Sequence, residues 1–243
     1  AIDQDDAVEL FRPSGGLLPG GAAGIYSPGR LQRALDRLRD ELQQRGYAEA
    51  SVAVQSLVID DATGAVDMAI EVGEGPRWQV ASLAFTGVLV SGILLDDLGP
   101  GEGRPWTYLW QQDIMEEIRR RHYREGYPDV QVRMSSGEPE APVGGERAVN
   151  VTAEILSGPM VRVGAVRFTG TQRTRESVLR RRVTVQAGDL LDPLALERTR
   201  YRLGQLGIFE SVDLRYDPTA GAVRDPVFAL DEVPSWEASL LAG

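Results

Sequence analysis

The chain has 243 residues, no cysteine and a single histidine, His122. Thiolate catalysis, disulfides and Cys-based zinc sites are thereby excluded, and any Ser-His-Asp triad, two-His metal site or histidine relay would have to run through His122 alone. A net charge of -10 argues against nucleic acid as the main partner, and no stretch approaches the ~18 apolar residues of a membrane-spanning helix.

Asp3, Asp5, Asp6 and Glu9 interrupt the start, so no signal peptide is visible there. Asp3 to Phe11 reads as a short helix and Pro13 to Gly24 as a loop. Ser27-Pro28, an N-cap followed by proline at the first helical position, opens an amphipathic helix that ends at Gly46-Tyr47. An alternating strand with Val52 and Val54 follows, then a turn at Asp60 to Gly64 and a returning strand, Val66 to Val72. Past Gly75-Pro76 comes a short strand with Leu83 and Phe85 facing inward, closed by Thr86-Gly87. A helix over Val90 to Leu98 and a loop, Gly99 to Gly103, lead to a second capped helix, with Thr107 as its cap and Gly126-Tyr127 as its end.

The same order then recurs. Val130 and Val132 mark a strand, Ser136 to Arg147 a long loop, and Val149 to Leu156 the return. Gly158-Pro159 precedes a strand with Val166 and Phe168, closed by Thr169-Gly170. Thr174 to Val183 is a short helix, Asp192-Pro193 starts the third long helix, and Gly207-Ile208-Phe209 ends it. Val212 and Leu214 mark the next strand, Asp217 to Gly221 its turn, and Val227 to Leu230 the return. The Gly markers lie 80 and 81 residues apart, and the Phe-Thr-Gly and Gly-Pro markers 83 apart. Counting back from each marker glycine, position −4 holds Leu42, His122 and Leu203, position −8 holds Leu38, Ile118 and Thr199, and position −11 holds Leu35, Met115 and Leu196. Those offsets form one stripe of a 3.6-residue helix.

The fold class is therefore α+β, as tandem units of strand-helix-helix-strand-strand. Each pairs a three-stranded sheet with two helices on one face. The expected boundaries are 1–75 (opening strand missing), 76–158 and 159–234, with 235–243 left over as the start of a further strand or a linker. Gly75, Pro76, Gly158 and Pro159 make short, semi-rigid hinges between units, because proline limits φ and favours an extended residue before it. A plain turn between strands is the simpler alternative.

This order, with Phe-Thr-Gly closing the first strand and Gly-Tyr closing the second helix, resembles the POTRA (polypeptide-transport-associated) domains of outer-membrane assembly factors. Val163 to Tyr216 is the most family-like copy. Three copies are most like the TamA type; the BamA type carries five, and two-partner secretion transporters usually two. The resemblance implies a periplasmic location in a Gram-negative bacterium, a mixed sheet with the returning strand central, and a membrane β-barrel following in the same chain, with Trp236 to Gly243 as the entry to its first strand. It also implies an upstream signal peptide and one more upstream strand. The implied partners are unfolded outer-membrane or autotransporter polypeptides, the chain's own barrel, and an accessory periplasmic or inner-membrane-anchored protein.

With the returning strand central, each strand after a Gly marker is a sheet edge, able to accept an extended client as an added strand. The candidate edges carry Val52, Val54, Val130, Val132, Val212 and Leu214; plain solvent exposure is the alternative at each. From Met160 to Pro218 there are 11 Arg against 7 Asp and Glu, while the rest of the chain is strongly acidic. Arg173, Arg175, Arg180, Arg181 and Arg182 would then meet the periplasmic turns of the barrel or anionic headgroups, or simply line a solvated face. No cofactor, metal site or enzymatic activity is expected. No phosphate-cradling loop is present, no spacing motif selects a carboxylate pair, and Trp78, Trp106, Trp110 and His122 read as packing residues. A passive periplasmic scaffold that docks accessory proteins, or the POTRA region of a two-partner secretion transporter, is the competing function.

Overall fold

In chain order the elements are α1 (Pro28–Gln44), β1 (Ser51–Ile59), β2 (Val66–Gly73), β3 (Arg77–Gly87), α2 (Tyr108–Arg124), β4 (Gln131–Ser136), β5 (Glu146–Leu156), β6 (Arg162–Val163), β7 (Arg167–Thr169), α3 (Glu176–Arg180), α4 (Pro193–Gly204), β8 (Phe209–Pro218) and β9 (Val223–Glu232). This is a computed structural model, and it describes residues 7, 11, 26–60, 62–87, 102–218 and 222–233. Most of the expected first helix, the loop at 13–24, the helix at 90–98 and the segment 236–243 lie outside the described residues. Of the first helix, Ala7 and Phe11 are described; both are helical and pack against the core formed by Leu35, Leu38, Leu42, Ala50 and Val52.

The helical stripes are buried as their spacing demands, except that on α2 Ile114 is buried where Met115 was expected and Met115 is half-buried. Leu35, Leu38 and Leu42 on α1, Ile118 and His122 on α2, and Leu196, Thr199 and Leu203 on α4 are all buried. The polar members are satisfied within their own helices. Thr199 Oγ1 donates to the Ala195 carbonyl at 3.1 Å, and His122 Nδ1 lies 2.8 Å from the Ile118 carbonyl. The helix starts differ. Asp192 accepts the Leu194 N–H at 2.9 Å and Thr107 accepts the Trp110 N–H at 3.1 Å. Ser27 serves only through its carbonyl, which accepts the Arg30 and Leu31 N–H groups; its side chain makes no capping bond.

The chain divides into two compact units, one of residues 1–85, 94–115 and 134–153 and one of 86–93, 116–133 and 154–243. In the first, β1 and β2 pair antiparallel around a turn in which Asp60 accepts from the Ala62 and Thr63 backbones and the Thr63 hydroxyl. These donors, the Thr63 hydroxyl foremost, hold the Asp60 carboxyl below its usual range. The same unit holds a core of Val80, Val149 and Val151 ringed by Trp78, Leu83, Trp106, Trp110 and Met134. Trp106 and Trp110 meet edge-on at 5.7 Å. Among the described residues the second unit holds the largest core, built from one face of α4 and the sheet beneath it: Val161, Val163, Leu179, Leu191, Leu196, Leu203, Phe228 and Leu230 among others.

Two sheets show the full arrangement. In one the strand order is β3-β5-β4; in the other β9 lies between β8, antiparallel to it, and β6 with β7, parallel to it. The returning strand is therefore central in each, and the second sheet is mixed. The Phe-Thr-Gly marker has a steric cause. A Cβ on Gly87 would lie 2.0 Å from the Ile155 carbonyl oxygen, and one on Gly170 would lie 2.1 Å from that of Leu230, with both glycines at positive φ. Only glycine lets the opening strand close that tightly over the central one.

β9 is longer than its apolar residues suggested, starting at Val223 and running through Pro226. A proline has no N–H for a central ladder. The opening strand is interrupted where that donor is missing: β6 pairs with Val223 and Arg224, β7 with Val227 to Ala229. The buried Asp225 fills the gap, accepting the Ala165 N–H at 2.8 Å and pairing with Arg167 at 2.7 Å.

Candidate strand-docking edges

Among the described residues, β4 and β8 each have a neighbour on one side only, and β1 is paired with β2 alone. Their free sides carry main-chain N–H and C=O groups that a further strand would pair with. The apolar side chains singled out in the sequence mostly point the other way. Val52, Val130 and Val132 are buried, and Val212 and Leu214 pack half-buried against the core of the second unit; Val54 alone is exposed. What these strands leave unpaired among the described residues is thus backbone, and every named side chain but Val54 anchors its strand to its own core.

The three edges differ in character. β4 carries Arg133, and β8 carries Glu210, Asp213, Arg215 and Asp217 before ending at Pro218. Charge and proline on an edge discourage indiscriminate pairing. β1 has no charged residue over its nine positions and leaves Val54, Leu57, Val58 and Ile59 exposed, with a register shift between Val54 and Ser56. Beside β8 lies an open groove of about 390 Å³ lined by Arg200, Tyr201, Gly204, Phe209 and Val212. The Arg200 Nη1 group sits 3.5 Å from the Val212 carbonyl on that side.

The arginines expected near a membrane separate into two kinds. Arg173 is held within the chain: its backbone N–H and Nε reach Glu232, and Nη2 donates to the Val233 carbonyl at 2.5 Å. Arg180 pairs with Glu176 at 2.6 Å and lies over the Phe168 ring. Arg175, Arg181 and Arg182 are exposed and have no partner among the described residues. Sequence reading missed Glu232. Its carboxylate accepts from Thr174, whose donors are the largest cause of a carboxyl held down at about 2. Its partners lie 58 and 59 residues away, beyond any local pattern. Gly75 and Gly158, the expected hinges, sit at φ +70 and +69, each with its Cα packed beside an acidic residue, Glu49 or Asp129.

The family model for POTRA, described as surface antigen variable number repeat, matches residues 9–75 and 161–228, more than half of the chain. The chain belongs to the POTRA family. Relatives among characterised proteins include the outer membrane protein assembly factor BamA of Nitratidesulfovibrio vulgaris, 24% identical over 200 residues, covering 75% of this chain and 24% of that protein. BamA of Neisseria meningitidis serogroup B is 23% identical over 199 residues, covering 81% and 24%. The chain thus spans about a quarter of the length of these relatives. Among solved structures, Haemophilus influenzae BamA POTRA3-5 superposes with a TM-score of 0.58 at 22% identity, covering 96% of this chain and 92% of that one. BamA from Haemophilus ducreyi lacking POTRA domains 1-3 gives 0.54 at 21%, covering 62% and 28%. At this identity the superposition establishes the fold: tandem POTRA domains, with the returning strand central in the two sheets of three or more strands.

Proposed function

We propose that this chain is the POTRA arm of an outer-membrane β-barrel assembly or translocation factor, and that it receives unfolded outer-membrane polypeptides by strand addition and passes them to a membrane barrel in the same protein. The chain lies in the periplasm, as part of an outer-membrane protein of a Gram-negative bacterium. Its copies are residues 1–75, 76–158 and 159–234, with 235–243 as the entry to the barrel. The observation that carries this reading is the central position of β5 and β9, which leaves β4 and β8 each with a free backbone side. Backbone pairing needs no particular client sequence, which suits an acceptor of many barrel precursors. Arg175, Arg181 and Arg182 give the last copy an unengaged cationic face for barrel turns, anionic headgroups or an accessory protein.

Photocrosslinking tests it. A benzophenone amino acid at the exposed edge positions Ala53, Arg133 or Asp213 should capture unfolded outer-membrane polypeptide, whereas one at exposed helix positions such as Asp40 or Arg202 should not. Capture at the helix positions alone, or of folded accessory proteins alone, would replace client delivery by passive docking.

A further inference from the structure

Two places in the chain are built to one pattern. At the first, the Gly46 carbonyl accepts the Trp78 N–H at 2.8 Å, and the Trp78 carbonyl accepts the Trp106 N–H at 3.0 Å. At the second, the Gly126 carbonyl accepts the Val161 N–H at 2.7 Å, and the Val161 carbonyl accepts the Leu191 N–H at 2.9 Å. In both, the glycine that ends a long helix packs under the loop before the next one: a Cβ on Gly46 would lie 3.0 Å from Pro105, and one on Gly126 would lie 2.9 Å from Leu190. Each of these contacts joins the end of one copy's second helix to the opening of the copy that follows.

An ion pair closes each place. Three residues past the glycine stands an acid, Glu49 or Asp129. Arg147, at the start of β5, reaches Glu49 at 2.5 Å, and its guanidinium also lies 5.2 Å from the Trp78 ring. Arg224, at the start of β9, binds Asp129 with both terminal nitrogens, Nη1 at 2.9 Å. That bond lowers the Asp129 carboxyl below its usual range. The two arginines are not at matching positions. Gly87 faces Ile155 as Gly170 faces Leu230, so Arg147 corresponds to Ala222 and Arg224 to Val149. They are two residues apart on one strand face and reach the same acid from different points. Gly75 and Gly158, the expected hinge residues, have their Cα atoms against that acid: an added Cβ would sit 3.2 Å from Glu49 Cβ and 3.3 Å from Asp129 Cβ. The third copy lacks the pattern. One residue fewer separates Gly207 from the strand pairing, Val233 stands where Gly75 and Gly158 do, and Glu210 has no arginine partner among the described residues.

We propose that Glu49–Arg147 and Asp129–Arg224 are locks that fix the angle between consecutive copies, and that these four are positioning residues for the arm. The Gly-Pro connections are then clamped joints rather than hinges. The proposal rests on the three-copy division given above. Because the chain has no cysteine, nitroxide labels can be placed uniquely. In the full chain, labels at Arg33 and Asp113 span the first joint, and labels at Arg33 and Asp67 lie within one copy. Pulsed electron paramagnetic resonance should give a narrow Arg33–Asp113 distance distribution. It should broaden in Glu49→Arg and in Arg147→Glu and narrow again in the double exchange, with the Arg33–Asp67 distance unchanged throughout. Glu49→Gln should broaden it in the same direction and serves if a reversal does not fold. An unchanged distribution in the single variants, or no recovery in the double exchange, overturns the lock. Broadening of both label pairs together overturns the three-copy division, and the lock with it.

Discussion

Replacing Gly170 by alanine tests why the opening strand must end in glycine. The backbone there has φ +84, and the new Cβ would fall 2.1 Å from the Leu230 carbonyl oxygen, about 1.3 Å inside the ordinary ~3.4 Å contact. Leu230 is buried at 4% exposure in the central strand β9, so that oxygen has little room to retreat. Gly188 provides the matched control: its φ is +93 and nothing lies within 4 Å of an added Cβ. Gly188→Ala should therefore cost only the left-handed backbone penalty, about 1–2 kcal/mol. Gly170→Ala adds overlap with buried backbone, and the total should reach about 3–5 kcal/mol, the range of the most disruptive single substitutions. Urea unfolding followed by circular dichroism measures both. Equal losses in the two variants, or a loss below about 1 kcal/mol for Gly170→Ala, would refute the close-approach argument.

His122 occupies the stripe position held by Leu42 and Leu203 in the other copies, all three buried. His122→Leu should shift stability by less than about 1.5 kcal/mol, while His122→Ala should lose about 2–4 kcal/mol by leaving a cavity; urea unfolding followed by circular dichroism measures both. Glu232 has a folded-state pKa near 2 against 4.5 for the free side chain, so it stabilises the fold above about pH 4.5, and that contribution fades as pH falls towards 2. Glu232→Gln should therefore lower the melting temperature at pH 7 and converge with the parent near pH 2; a gap independent of pH would contradict the linkage.

Much of the fold was legible because it is local and repeated. The 3.6-residue stripes Leu35-Leu38-Leu42 and Leu196-Thr199-Leu203, the prolines at Pro28 and Pro193, and the Gly markers each depend on neighbours a few residues away. The Phe-Thr-Gly marker was visible as a pattern, but its cause, the carbonyls of Ile155 and Leu230, lies 68 and 60 residues further on. Features depending on such distant pairs were not legible. The return was expected only over Val227 to Leu230, whereas β9 begins at Val223, and the interruption at 164–166 with the Asp225 carboxylate makes room for Pro226 within it. Arg173 read as a free surface cation, yet Glu232 and the Val233 carbonyl hold it. The returning strands lie centrally beside β4 and β8, as the resemblance implied, but all the named side chains except Val54 turn inward, and what the edges leave open is main chain, which no sequence pattern marks.

Amide hydrogen exchange resolved by residue, on the full chain with and without an unfolded outer-membrane polypeptide, tests strand addition most directly. New protection should appear at alternate amides along β1, β4 or β8, with the exposed helix faces unchanged. Binding that slows exchange on the helices while every edge amide exchanges as before would contradict it.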